Sequence, residues 1–310
     1  MKKVFLLVIS LILTVPVLSA KEQYVYTQIS LREGLTSTVN SIYKEMNGNV
    51  WIGTQNGLYR SNGQTLRHID SPYLKDRTVH HVCADDDGSL WVLTDKGIMV
   101  KSIDDDDLFR RIGSETDAKP FHRMLSTKEA IWFASTGSIY RFDRRKEELS
   151  LYIDLKDNPS LVINSMLATK DGSIMCCSHR GLILVDTIRG EVSNAQFGSY
   201  NEVSAGIIDS EGRIWLAFYN NGIEVYSADG TLLKTYRSES CALSSNIVLC
   251  LTERGSTIWA GTDGGGINVI SFDDDEVSNL NHTAGDPSSL PAHSIKSIYT
   301  DSYGNVWAGS

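Results

Sequence analysis

The feature that most constrains the fold of this chain is a phrase that recurs seven times along it. Each copy sets one large side chain among apolar neighbours shortly after a turn, as in "NGNVWIGTQNGLYR". These anchors lie 40, 41, 43, 40, 44 and 48 residues apart, and they include all six tryptophans of the protein. The anchors are Trp51, Trp91, Trp132, Met175, Trp215, Trp259 and Trp307. A near-constant period of this length is typical of a repeat architecture.

Each repeat has the pattern of four short β-strands. A half-apolar segment such as "VNSIYKE" precedes a glycine turn, and the anchor segment follows it. A glycine-led segment such as "GLYRS" and a more variable one such as "TLRHI" complete the unit. Four antiparallel strands in about 40 residues is the pattern of a propeller blade. The sequence therefore predicts an all-β fold, a seven-bladed β-propeller of four-stranded antiparallel blades, with the anchor side chains wedged between neighbouring blades.

The seventh repeat reaches Ser310 at the point where its third strand would begin. The last blade is therefore predicted to be incomplete, and the chain to be a fragment. Residues 24–29, "YVYTQI", have the pattern of an outermost strand and are predicted to cover the open edge of that blade.

The first twenty residues differ in composition from the repeats. Lys2 and Lys3 precede an apolar run at residues 4–18, and Ser19 and Ala20 provide small residues for cleavage. This pattern predicts a signal peptide at 1–20 and export of the chain, with a propeller domain over 21–310. Removing the two lysines from the 29 Lys+Arg leaves 27 against 38 Asp+Glu, a net charge of −11. Such an acidic domain is not expected to contact nucleic acid.

The five cysteines do not indicate a disulfide scaffold, because their number is odd and the chain is long. They are interpreted as small buried apolar residues. A bond between Cys241 and Cys250 is left open. Cys176 and Cys177 adjoin on one strand and are expected to point to opposite faces.

Two copies of the repeat carry a family resemblance. "VNSIYKEMNGNVWIGTQNGLYR" and "IKSIYTDSYGNVWAGS" resemble the two-component regulator propeller repeat. Two copies depart from the pattern: "MCCS" follows Ile174, and "TKEA" replaces a glycine turn in the third repeat. The resemblance implies the periplasmic sensor region of a hybrid two-component system, whose membrane helix and histidine kinase lie outside this sequence.

The resemblance further implies the biology of such a sensor. It implies recognition of oligosaccharides, control of polysaccharide-utilisation genes, and a homodimer formed through the parts outside this sequence. No catalysis and no cofactor are expected of this chain. Two alternatives stay open, a stand-alone exported interaction propeller and a propeller lyase.

The candidate ligand residues follow from propeller geometry. Loops between the second and third strands crowd around the axis at one face, where amides, charges and aromatic rings could bind a sugar. The predicted ligand-binding residues are Gln55, Asn56, Asp95, Lys96, His179, Arg180, Tyr219, Asn220, Asn221 and Asp263. Arg180 and Lys96 would suit an acidic sugar, and Tyr219 could stack on a ring.

Other chemistry finds less support in the sequence. The seven histidines have no metal-ligand spacing, and no metal site is predicted. His80 and His81 are neighbours on a strand, so one ring is expected to face inward and the other outward. The aspartate runs at 85–87, 104–107 and 273–275 are interpreted as solvated turns rather than calcium loops.

Overall fold

A computed structural model of the chain describes residues 24, 27–29, 34–35, 37–102, 108–113, 120–195, 197–198, 202–286 and 289–310. Every regular element in these ranges is a β-strand, and none of the described residues forms a helix long and apolar enough to span a bilayer. The predictions for the signal peptide at 1–20 and for the aspartate run at 104–107 concern residues outside the described ranges.

Six repeats each form a four-stranded antiparallel sheet with its strands in chain order. Blades 1 to 3 contain β1 (Val39–Lys44), β2 (Val50–Thr54), β3 (Gly57–Ser61), β4 (Leu66–His68), β5 (Val79–Ala84), β6 (Leu90–Thr94), β7 (Gly97–Lys101), β8 (Arg110–Ile112), β9 (Phe121–Ser126), β10 (Ala130–Ser135), β11 (Ser138–Asp143) and β12 (Glu148–Asp154). Blades 4 to 6 contain β13 (Ile163–Ala168), β14 (Ile174–Ser178), β15 (Gly181–Asp186), β16 (Glu191–Asn194), β17 (Val203–Ile208), β18 (Ile214–Phe218), β19 (Ile223–Tyr226), β20 (Leu232–Tyr236), β21 (Val248–Arg254), β22 (Thr257–Thr262), β23 (Ile267–Ser271) and β24 (Glu276–Leu280).

The predicted number of seven blades is wrong, because the described residues form six four-stranded blades. Beyond blade 6, the described residues form a two-stranded sheet of β25 (Ser297–Thr300) and β26 (Val306–Gly309), here called sheet 7. The predicted closing strand at 24–29 is not found among its described residues, since Tyr24 and 27–29 are not in a strand. A blade needs four paired strands, and only two paired segments follow β24 in the described chain.

Sheet 7 nevertheless lies in the ring between blade 6 and blade 1. Strand β25 packs against both β21 and β1, the innermost strands of those blades. The backbone N–H of Val39 donates to the carbonyl of Ser310 at 3.1 Å. The described N-terminal residues cover part of the same region, where the Tyr24 ring meets Trp259 edge-on with centroids 5.0 Å apart.

The anchor side chains fill the spaces between blades, as the sequence predicts. Trp215 of blade 5 is fully buried and packs with Leu251 and Ala260 of blade 6. Met175 has the same position between blades 4 and 5, where it packs with Val203. Cys176 and Cys177 belong to two different interblade cores, which confirms that they point to opposite faces. The described cysteines are free thiols.

The turn before each anchor is closed by side-chain hydrogen bonds. In blade 5, Asp209 accepts from the backbone N–H of Arg213 and from the indole N–H of Trp215, each at 2.8 Å. The glycine of this turn has a positive φ of 84° at Gly212 and 79° at Gly304, which an L side chain adopts only with strain. The predicted reason for the turn glycine is confirmed. The carboxylate six residues before the anchor therefore links the turn to the anchor side chain that packs between the blades.

In four of the six blades, a buried hydroxyl fixes the turn after the anchor strand. Thr54 donates to the carbonyl of Gly57 at 2.9 Å, and Thr94 donates to that of Gly97 at 3.0 Å. Ser178 makes the same contact at 2.7 Å. Because these hydroxyls are buried, the bonds hold each loop in one conformation at the face of the propeller that carries the candidate site.

Candidate functional site

The innermost strand of every four-stranded blade contains a β-bulge at its second residue. In β1, for example, Val39 pairs with Thr54 and Ser41 pairs with Gly53, so Asn40 is the extra residue. The six bulged residues are Asn40, His80, His122, Asn164, Ser204 and Leu249. A bulge re-aims its side chain away from the regular alternation of a strand. The bulges therefore form a ring around the axis at one end of the propeller.

Several bulge side chains connect neighbouring blades. The Asn40 amide donates to the carbonyl of Val79 at 3.0 Å, and the Asn164 amide donates to that of Val203 at 3.0 Å. The Ser204 hydroxyl donates in the same way to the carbonyl of Val248 in blade 6. These bonds fix the spacing of the innermost strands and hence the width of the axial opening.

A polar cavity of about 560 Å³ lies on one side of this ring. Its lining comes from sheet 7 and from blades 1, 2 and 3, which are neighbours in the ring. The lining residues are Asn40, Gln55, Thr78, His80, Arg123 and Lys296, and we call this cavity the axial pocket. Its volume lies in the range of about 300–1,000 Å³ that is usual for small-molecule sites.

Two of the lining residues are cations. The Arg123 guanidinium donates through Nε to the carbonyl of Asn164, and through Nη1 to the carbonyl of His122 at 2.7 Å. Within the described ranges, no carboxylate lies within 4.0 Å of Arg123 or Lys296. Burial lowers the pKa of Arg123, although the group stays charged at neutral pH.

The charge of Arg123 acts on the pKa of three histidines. The rings of His80 and His122 meet edge-on with centroids 6.1 Å apart. Burial lowers the pKa of both, and the charge of Arg123 acts in the same direction, while Asp95 opposes it at His80. Burial and Arg123 lower the pKa of His81 to about 4. These rings are therefore neutral at pH 7 and can donate or accept one hydrogen bond at each nitrogen.

The prediction that His80 and His81 face opposite ways assumes a regular strand, and β5 is irregular at this point. The bulge at His80 interrupts the alternation of β5, and His81 resumes the pairing opposite Leu93. Both rings consequently lie close enough to Arg123 for its charge to lower their pKa. The rule of alternating faces holds only where a strand keeps a regular register.

The predicted ligand loops do lie at the face with the axial pocket, and a repeated contact places them there. The first loop residue after the anchor strand donates its backbone N–H to the carbonyl of the residue just before the innermost strand of its own blade. Gln55 donates to Thr38 at 3.1 Å, and Asp95 donates to Thr78 at 3.0 Å. The equivalent bonds are made by His179, Tyr219 and Asp263. The five residues are thus equivalent positions of the repeat.

The structure brings only part of the predicted set to the axial pocket. Gln55 lines the pocket, and Asp95 lies near enough to influence the pKa of His80. Arg180 instead contacts the Ser160 hydroxyl at 3.3 Å, and Tyr219 is 51% exposed. The remaining predicted residues occupy loop positions outside the pocket lining, namely Asn56, Lys96, His179, Asn220, Asn221 and Asp263.

Sequence reasoning missed most of the pocket. Asn40, Thr78, His80, Arg123 and Lys296 lie at or beside the start of an innermost strand, a position that the sequence interpretation treated as scaffold. One signal was present: the residue after the first apolar residue of these strands varies among Asn, His, Ser, Leu and Lys, while the residue before it is apolar in every repeat. Variation at one position of a regular repeat indicates a side chain that does not take part in the packing shared by the repeats.

No cluster of three or more His, Cys, Asp or Glu residues suited to a metal ion occurs in the part of the chain that the structure describes. The aspartates at 85–87 and 273–275 lie at turns, as predicted. Asp85 is not merely solvated, because its carboxylate accepts from the indole N–H of Trp91 at 2.8 Å.

Comparison with known proteins agrees with this architecture. A family model described as "Two component regulator propeller" matches residues 34–56 and 289–310. No curated protein matches the chain. The extracellular domain of the putative hybrid two-component system BT3049 from B. thetaiotaomicron has a similar fold, with a TM-score of 0.76 and 17% identity. The comparison covers 93% of this chain and 41% of that one.

Two further structures are similar. The extracellular domain of the putative one-component system BT4673 from B. thetaiotaomicron gives a TM-score of 0.75 at 21% identity, over 89% of this chain and 38% of that one. Virginiamycin B lyase from Staphylococcus aureus gives 0.67 at 13% identity, over 88% and 91%. This chain therefore spans about two fifths of the two extracellular domains. It is an all-β propeller in which two segments match the two-component regulator propeller model, and its fold is similar to that of these extracellular domains.

Proposed function

We propose that this chain is the periplasmic ligand-sensing propeller of a hybrid two-component regulatory system. In this proposal it recognises an oligosaccharide and controls genes for polysaccharide use. The family repeats and the shared fold of extracellular regulatory domains support the sensor role. The observation that carries ligand binding is the axial pocket, to which four neighbouring units of the ring contribute side chains.

The chemistry of the pocket suits a saccharide. Sugar hydroxyls need several fixed donors and acceptors, and the pocket offers an amide at Gln55, a hydroxyl at Thr78 and a neutral imidazole at His80. The Gln55 side chain makes no protein hydrogen bond in the described ranges, whereas its backbone is held at both ends, by Thr38 and Thr78. Such a side chain is available to a ligand without loss of a protein contact.

The location of the pocket also suits signalling. Because its walls belong to sheet 7 and three blades, a bound ligand would stabilise their relative positions. In a dimer formed through parts outside this sequence, this change in the relative positions of the blades would be transmitted across a membrane. The signal peptide at 1–20 would deliver the domain to the periplasm.

Isothermal titration against a panel of neutral and acidic oligosaccharides tests the proposal. Binding by the wild-type chain, weakened about tenfold in Gln55→Ala, is the expected result, since a buried hydrogen bond of this kind contributes about 1 kcal/mol or more. Gln64→Ala is the matched control, because Gln64 is exposed in the turn between β3 and β4. Equal binding by the two variants, or no binding across the panel, would contradict a ligand site in the axial pocket.

A further inference from the structure

The axial pocket contains positive charge that the protein itself does not neutralise. Arg123 comes from blade 3 and Lys296 from the residue before β25, so the two cations lie at opposite ends of the arc of lining residues. The described residues place no carboxylate within ion-pairing distance of either one. The chain as a whole carries a formal charge of −9, so local positive charge here opposes the overall field of the protein.

Arg123 is held in a defined orientation. Its Nε and Nη1 groups donate to two backbone carbonyls, of Asn164 and His122, on two neighbouring blades. These carbonyls orient the guanidinium plane, but they carry no formal charge. In the described ranges Nη2 has no acceptor, and Arg123 lines the pocket. A guanidinium has five N–H donors in a fixed fork that matches the oxygens of a carboxylate or a sulfate.

Removing such a charge from water is costly unless a counter-charge compensates it. Arg123 is half-buried, and this burial lowers its pKa. The three nearby imidazoles are neutral at pH 7 and cannot compensate it. Asp95 is the nearby acid, and its charge acts on His80 rather than forming an ion pair with Arg123. A desolvated, oriented and unpaired cation at a cavity wall indicates a site for an anionic group.

We infer that the axial pocket binds an acidic saccharide, whose carboxylate or sulfate group contacts Arg123 while Lys296 adds a second positive charge. The inference rests on the function proposed above and specifies its ligand class. The neutral lining residues Asn40, Gln55 and Thr78 contact the sugar hydroxyls. The acidic-sugar chemistry expected of Arg180 and Lys96 is thereby assigned to two other cations, Arg123 and Lys296, which line the same pocket.

Paired ligands test this inference. Uronic-acid disaccharides are compared by titration calorimetry with their carboxyl-reduced counterparts, and O-sulfated disaccharides with their desulfated counterparts. The acidic member of at least one pair should bind at least about tenfold more tightly, and its advantage should shrink as sodium chloride is raised. Which pair responds distinguishes a carboxylate from a sulfate. Sodium sulfate alone serves as the probe for simple ion binding.

Three variants complete the experiment. Lys296→Gln and Arg123→Gln should each reduce the preference for the acidic member about tenfold. Lys170→Gln makes the same change of charge in a turn at the opposite face and should leave the preference unchanged. Thermal unfolding without ligand identifies any loss of folding in Arg123→Gln, and Lys296→Gln then decides, since Lys296 has no side-chain hydrogen bond to a described residue.

The outcomes separate the inference from the proposed function. Equal affinity for both members of every pair overturns the inference and leaves the sensor proposal intact. Binding of sodium sulfate as tight as that of the best saccharide also overturns it, since the site would then bind only the ion. Failure of every saccharide to bind overturns both. An acidic preference that persists in Lys296→Gln and in a folded Arg123→Gln places the anion site elsewhere and refutes the assignment.

Discussion

The turn before Trp51 in blade 1 carries Glu45, whose side chain is one methylene longer than the aspartate at this position in other repeats. This difference provides a test of how the repeat is stabilised. The indole N–H of Trp51 is buried and has no hydrogen-bond partner among the described residues. In three other repeats an aspartate six residues before the anchor accepts that bond. The distances are 2.8 Å for Asp85 and Trp91, 2.8 Å for Asp209 and Trp215, and 3.1 Å for Asp301 and Trp307. Glu45 occupies this position in blade 1, and its carboxylate instead binds Asn47 and Asn49.

We therefore expect Glu45→Asp to stabilise the protein. A hydrogen bond from a buried donor to a charged acceptor contributes about 1.5–3 kcal/mol, and the loss of the bonds to Asn47 and Asn49 offsets part of it. The expected net gain is about 1–2 kcal/mol in the free energy of unfolding. The shorter carboxylate should also accept from the backbone of the turn, as Asp301 does from the N–H groups of Tyr303 and Asn305, each at 2.9 Å.

Urea unfolding followed by circular dichroism measures this gain as a higher midpoint with an unchanged m-value. The control is a double-mutant cycle with Trp51→Phe, which removes the indole N–H. In that background Glu45→Asp should lose most of its effect, because the coupling belongs to the pair. An equal gain in both backgrounds, or no gain in the wild type, would refute the role assigned to the carboxylate.

Three further substitutions test the wedge, the buried histidine and a tight turn. Trp215→Ala should destabilise by about 3–5 kcal/mol in urea unfolding, while Leu232→Ala, at a 52% exposed site, should stay within about 0.5 kcal/mol. With a folded-state pKa of about 4 for His81, the unfolded chain binds more protons between about pH 6.5 and 4. The free energy of unfolding should therefore decrease by up to about 3 kcal/mol as the pH is lowered through that window, and the decrease should be smaller in His81→Gln. An equal pH dependence in the wild type and in His81→Gln would contradict this. Gly222→Ala places a Cβ 2.1 Å from the Tyr236 carbonyl at a φ of +71° and should cost about 3 kcal/mol or more. Gly48→Ala, with φ +95° and open space around the new Cβ, should cost about 1 kcal/mol. Equal costs in the two variants would show that backbone strain alone, and not the contact with Tyr236, determines the loss of stability.

Much of the blade could be predicted from local pattern. The order of four antiparallel strands, the turn glycine with positive φ and the wedge role of Trp215 all follow from period, residue type and the need to bury an apolar face. Met175 shows how robust this logic is, because a residue of another type still fills the interblade space. The number of blades was not predicted correctly, since a recurring anchor marks a repeat without guaranteeing four paired strands.

The candidate site could be predicted only in part. Propeller topology correctly located the loop that carries Gln55 at the face around the axis. The prediction nevertheless placed every candidate residue in such loops, whereas most pocket residues lie at or beside an innermost strand. The bulge at His80 has no signature in the residues of β5 itself, because its register is set by pairing with β6. The same holds for Arg123, whose orientation depends on a carbonyl of the next blade.

The amino-acid sequence by itself determined the repeating unit, because hydrophobic periodicity and turn chemistry act over a few neighbouring residues. Only the tertiary structure decided which side chains meet at the axis. Asn40 and Lys296 are far apart in the chain, and ring closure makes them neighbours in one pocket. Their meeting depends on six bulges and on the packing of whole blades, and interactions of that range leave no periodic signal in a single sequence.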